Sequence, residues 1–172
     1  MRKTHYLIFT LFMVIAASCN KDTVAYGDQY DRSYRAWQHF KDSSGNSYRY
    51  IITTSSWSGY GTETSITVKK GKIAQRSFVA KGYANNGTGA FTILEQWDED
   101  ETQLSTHQDG AAPHTLDDLY KEAKQNWLVK RDKSTTYFEA ANNGMISAAG
   151  YVPTGCQDDC FMGIHISLIE AI

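Results

Sequence analysis

Tyr30, Tyr34, Trp37 and Phe40 recur at spacings of four, three and three, while Asp31, Arg32, Arg35 and Lys41 fall mainly elsewhere. That is the period of an α-helix with one apolar face, so the pattern predicts a helix over 29–42, ended by Ser43-Ser44-Gly45-Asn46. Its aromatic stripe reads as core. From Tyr48 the period drops to two. Tyr48, Tyr50 and Ile52 alternate with Arg49, Ile51 and Thr53 in a run rich in aromatic and β-branched residues, as strands are. Ile66 and Val68 begin a second strand. Lys69-Lys70-Gly71-Lys72 predicts a tight hairpin with Gly71 where positive φ is wanted, and 73–79 returns. Asn85-Asn86-Gly87-Thr88-Gly89 is a further loop, followed by a strand near 90–97.

The segment 98–113 has no period. Thr115 then caps a second helix, with Asp117 and Asp118 in its first turn and Lys124, Lys130 and Arg131 toward its end, both favourable to the helix dipole. Leu116, Leu119, Tyr120, Ala123 and Trp127 form its apolar face. Strands over 135–141 and 145–151 flank Asn142-Asn143-Gly144, a strong hairpin signal. In the last run Met162, Ile164, Ile166 and Leu168 alternate with Gly163, His165, Ser167 and Ile169. The class expected is α+β, in the order helix, strands, helix, strands, with two helices packed on one face of a mainly antiparallel sheet. Tyr34, Trp37, Tyr120 and Trp127 should bury against Ile52, Val68, Ile164 and Ile166. Each half holds a helix, a Tyr-bearing strand and a Gly-centred hairpin, which hints at a duplicated unit.

The N-terminus changes the picture of where this domain works. Arg2 and Lys3 precede the apolar run from Tyr6 to Ala17, and Ala16-Ala17-Ser18 supply small residues before Cys19. That is the layout of a secretory signal. As a helix the run rises only about 18 Å, short of the roughly 30 Å hydrocarbon core, so it serves export better than permanent spanning. Ala16-Ala17-Ser18-Cys19 resembles the lipobox of bacterial lipoproteins, with Ala16 where Leu is usual. The resemblance implies cleavage before Cys19 and acylation of its sulfur. Ser18-Cys19-Asn20-Lys21-Asp22 is similar to the start of many lipoproteins of the Bacteroidota, which implies an outer-membrane anchor facing periplasm or surface. Asp22-Thr23-Val24 resembles that phylum's short O-glycosylation sequon, making Thr23 a candidate acceptor. The organisation expected is a signal over 1–18, a lipidated flexible tether over 19–28 and one α+β domain over 29–172.

Residues 1–18 carry two basic residues and no acid, so the mature chain is more acidic than the −2 of the whole. A nucleic-acid partner would need a clustered basic surface, and none is expected. Once Cys19 is lipidated, Cys156 and Cys160 remain as an even pair, as an oxidising compartment favours. Cys156-Gln157-Asp158-Asp159-Cys160 admits a zinc half-site, a redox pair or a disulfide. Only His165 lies nearby as a further ligand, and three residues intervene where redox motifs have two, so the disulfide is the reading taken. Asp98-Glu99-Asp100-Glu101 lacks the spaced oxygen ligands of a calcium loop and reads as a solvated turn. His107 and His114, with Asp109, Asp117 and Asp118, are the one cluster with acid–base potential. No motif for hydrolysis or phosphate binding accompanies them.

Tyr48-Arg49-Tyr50 after an aromatic helix, Gly71-Lys72-Ile73 in the hairpin and Thr115-Leu116-Asp117-Asp118-Leu119-Tyr120 opening the second helix together resemble a family of small bacterial secreted proteins and lipoproteins catalogued as a domain of unknown function. Members often carry a Cys pair shortly after the first Tyr strand, where this chain has Ser55, Ser56 and Trp57. That family brings no activity to carry over. The expectation is a membrane-anchored, non-catalytic module that binds an envelope protein or glycan and needs no cofactor or metal. The alternative is a hydrolase or metal-dependent site around His107 and His114.

Overall fold

The aromatic period of the first segment persists as α1 (Gly27–Ser43). The computed structural model describes residues 23–84 and 89–172, so the expected signal, Cys19 and 85–88 lie outside the described residues. Four strands follow α1: β1 (Tyr48–Ser55), β2 (Gly61–Lys69), β3 (Lys72–Tyr83) and β4 (Phe91–Asp100). Then come α2 (Leu116–Glu122), continued by a π turn (Ala123–Trp127), and β5 (Ser134–Glu139), β6 (Ala148–Pro153) and β7 (Met162–Ala171). The protein is α+β, with one seven-stranded sheet in the order β4-β3-β2-β1-β7-β6-β5 and every pairing antiparallel. Both expected hairpins form. Lys69 pairs with Lys72 across Lys70 and Gly71, at φ of 50° and 78°, and Asn142 bridges Met145 in the same way. These paired positive φ values match the twist of the strands they join.

The core is held by neutral tyrosines as much as by aliphatics. Trp37 of α1 is fully buried and meets Tyr48 of β1 edge-on at 5.0 Å. Its Nε1 donates to Asp117 of α2 at 2.9 Å. The Tyr48 hydroxyl accepts the Leu116 amide at 3.0 Å, so one sheet residue touches both helices. Tyr50 donates to the His114 carbonyl. The Tyr120 hydroxyl lies 2.8 Å from Ser33 Oγ and accepts the Ile146 amide at 2.9 Å. Burial pushes its pKa up to about 12, so it works as a neutral donor and acceptor.

Several expectations are corrected. Tyr34 is exposed, stacked on the outer side of buried Tyr30. Trp127 is only half-buried, because the second helix does not continue regularly. The Leu128 amide bonds to the Ala123 carbonyl five residues back, and the inserted residue rotates the following side chain into the core. Leu128 is fully buried in its place. We expect Leu128→Ala to destabilise by about 2–5 kcal/mol in urea unfolding, and Trp127→Ala by less than the about 3–5 kcal/mol of a fully buried Trp. The alternation of the last strand also slips, with Ile164, Ile166 and Ile169 buried rather than Leu168. The end of the expected tether belongs to the fold: Val24 bridges Val129, Ala25 donates to the Leu128 carbonyl at 2.7 Å, and Gly27 and Asp28 open α1.

The two halves do not repeat each other rigidly. β1 to β3 and β5 to β7 step across the sheet in the same direction, yet β1 and β5 run oppositely in it. A rotation that reverses strand direction while keeping that step turns the sheet over, whereas Trp37 and Leu116 meet the same residue, Tyr48, on one face. Among the described residues no helix is long and apolar enough to cross a membrane.

Candidate functional site

The sheet is continuous at one end and split at the other. β1 and β7 pair from Tyr48 and Ala171 to Ile52 and Ile166, and Ser167 is bulged out opposite Ile51 and Ile52. Beyond the bulge β1 stays with β2, while β7 follows β6. Two glycines draw β7 that way. Gly163 pairs with Gly150 so closely that a Cβ on Gly163 would overlap the Ala149 carbonyl and the Gly150 Cα. The Phe161 ring sits where a Gly150 side chain would be. An opening results between Ile52 and Thr54 on one side and Gly163 and Ile164 on the other.

This opening widens into a chamber on each face of the sheet. The outer one, of about 580 Å³, is walled by Ser55, Ser56, Tyr60, Asp159, Phe161 and His165. The inner one, of about 390 Å³, is walled by Thr62, Thr64, Ala111, His114, Leu119 and Trp127. Ile52, Thr54, Gly163 and Ile164 line both, so the two chambers meet where β1 and β7 part. The Trp127 side chain that the π turn displaces from the core is thereby supplied to the inner wall.

Cys156 and Cys160 form the expected disulfide, their Cα atoms 6.2 Å apart. The loop it closes carries Asp159, which accepts a hydrogen bond from Ser56 Oγ at 3.0 Å. A strap from the β7 side therefore reaches the β1–β2 loop across the outer chamber. Non-reduced mass spectrometry should find this peptide two hydrogens lighter. Cys156→Ser/Cys160→Ser should lower stability by about 2 kcal/mol, as closure of so short a loop implies. Stoichiometric zinc on the reduced pair would contradict a structural bond.

The acidic run is not a solvated turn. Asp98, Glu99 and Asp100 end β4, and Glu99 is buried opposite Arg76 of β3. Arg76 donates from Nε and Nη2 to the two carboxylate oxygens at 2.8 and 2.9 Å. Glu99 also accepts the amides of Ser105 and His107, at 2.9 and 2.7 Å. The Arg76 hydrogen bonds, aided by those amides, hold its carboxyl far below the usual range. Arg76 further donates to the His107 and Ala111 carbonyls, and Ala111 donates to Thr64 Oγ1 at 3.0 Å. The ion pair thus staples the long segment after β4 onto the sheet and sets the inner chamber's wall. Sequence reading missed Arg76 and Glu99. Their signal was phase: Arg76 falls on the same face as buried Phe78 and Ala80, and Glu99 on the same face as Trp97.

The histidine cluster assembles only in part: His114 and Asp118 line one surface cleft, while His107 is held against β4. His107 stacks on Trp97 at 4.3 Å, its Nδ1 3.1 Å from Glu99 Oε1. His114 faces the inner chamber instead. Asp117 is engaged by Trp37 and Lys41, Asp118 closes the capping box with Thr115, and Asp109 is exposed. Among the described residues no three His, Cys, Asp or Glu side chains are grouped to hold a metal. His165 is exposed on its strand and stacks on Phe161 at 4.4 Å. Thr23 is exposed, its carbonyl accepting the Lys130 amide. No family model, curated protein or solved structure matches the chain.

Proposed function

We propose that the chain is an exported lipoprotein, anchored through Cys19, whose domain binds an envelope partner through the opening between β1 and β7 without catalysing a reaction. The opening carries this reading: an aromatic-rimmed division with a chamber on each side that interrupts an otherwise paired sheet. Ligand sites take this form, largely apolar with a few convergent polar groups. Both helices lie on the Tyr48 face in this reading, which leaves the outer chamber free toward a partner. The signal-like start, the lipobox-like residues before Cys19 and the Cys156–Cys160 bond agree with an oxidising compartment. The resemblance to a family of secreted proteins and lipoproteins agrees with the same address.

The anchor is tested by metabolic labelling with a palmitate analogue. Cys19→Ala should lose both label and membrane association, and label retained in that variant would sink the anchor. Binding is tested with a photo-crosslinking amino acid at Phe161, on the rim, and at Arg32, on exposed α1, in intact cells. Adducts should form at Phe161, be absent at Arg32, and be competed by soluble domain. Equal or no adducts at the two positions would reject the site.

A further inference from the structure

We infer that the opening between β1 and β7 receives an extended polypeptide segment as an added strand, an inference that rests on the binding reading above. Hydrogen-bond phase carries it. On β1 the Ser56 amide donates to the Tyr60 carbonyl at 2.8 Å, across to the β2 side, and the unbroken register places Thr54 and Ile52 in the same phase. In a strand the peptide groups alternate sides, so those of Thr53 and Ser55 point toward β7. On β7 the Ile166 amide donates to the Ser147 carbonyl at 2.7 Å, across to the β6 side, and Ile164 keeps that phase. The peptide groups of Gly163 and His165 therefore point toward β1. Pairing between the two strands ends at Ile52 and Ile166. Ile52 and Ile166 turn their own peptide groups away from each other, so that last pair is closed by the Thr53 amide on the His165 carbonyl. Beyond it Ser55 on β1 and Gly163 on β7 present unladdered donors and acceptors across the opening.

An unpaired strand edge is a template for a further chain, and an extended chain supplies donors and acceptors at the right repeat on both of its edges. A sugar has no such repeat, which favours polypeptide over glycan. The chambers set the side-chain chemistry. An added strand directs alternate side chains to the two faces. Its inward residues would meet Ile52, Leu119, Trp127 and Ile164, and its outward residues Ser56, Asp159 and His165. The expected segment alternates apolar and polar residues. Asp159, tied to Ser56, places the disulfide strap over the outward side.

The test uses the oxidised full chain in detergent and a phage-displayed library of random heptapeptides. Selected sequences should alternate apolar and polar residues. Synthetic copies should slow amide hydrogen exchange at Ser55, Gly163 and His165. N-methylation of peptide residues in either phase should weaken binding by about tenfold per bond removed, because one phase faces β1 and the other β7. Ser55→Pro removes an amide that faces the opening and leaves the β2 ladder intact. It should weaken binding by about tenfold, with the fold checked by its unfolding transition. Failure to select any peptide that protects those amides overturns strand addition, as does binding indifferent to N-methylation on either phase. Adducts at Phe161 in cells, persisting despite that result, would keep the binding reading and assign the site to a ligand that is not a strand.

Discussion

Glu99→Ala should destabilise the domain by about 3–5 kcal/mol, because it leaves the Arg76 guanidinium buried without its counter-charge. Two of the guanidinium's donors lose their acceptor, and the amides of Ser105 and His107 are freed with them. Urea unfolding at neutral pH measures the loss. Replacing both partners by apolar residues, as in Arg76→Met/Glu99→Leu, should recover much of it, since a matched buried pair is often worth little against well-packed hydrophobics. A double variant as unstable as Glu99→Ala would show that the main-chain bonds to Glu99 matter more than its charge. The same carboxylate makes stability depend on pH. Its pKa is depressed in the folded state from an ordinary 4.5. The stabilisation is therefore complete above that ordinary value and is lost as pH falls toward the depressed one. Between about pH 5 and about pH 3 the wild type should lose stability more steeply than Glu99→Gln. Parallel curves would contradict the assignment.

Trp37→Ala should cost about 3–5 kcal/mol, the range for a fully buried large aromatic. The indole does more than fill volume. It lies edge-on to Tyr48 and nearly parallel to Tyr120, at 6.4 Å, so one side chain contacts the sheet and the second helix together. Its Nε1 also orients Asp117, which Lys41 Nζ approaches to 2.7 Å. Trp37→Phe should retain part of the packing and lose the Asp117 bond, giving an intermediate loss. A change below about 1 kcal/mol for Trp37→Ala would mean that the first helix is not docked through this residue.

Where neighbours in the chain are neighbours in space, the sequence was sufficient. The spacing of Tyr30, Trp37 and Phe40 is a property of one helix, and α1 follows it. Gly71, Asn143 and Gly144 adopt positive φ at low cost, and Lys70 follows beside Gly71, so the two hairpins are set locally. Cys156 and Cys160 are close enough to find each other. The rest was decided by partners far along the chain. Glu99 looked like part of a solvated acidic run because the arginine that neutralises it lies 23 residues away on another strand. Leu128 displaced Trp127 from the core through a π turn, which no pattern of apolar positions announces because it changes the period within the helix. The opening is the extreme case. It depends on whether β6 or β1 holds the first half of β7, and Gly150 and Gly163 favour β6 by allowing an approach that any Cβ would block. Each glycine reads in sequence as a weak strand position, and only their pairing in the folded sheet makes them the reason that the sheet divides.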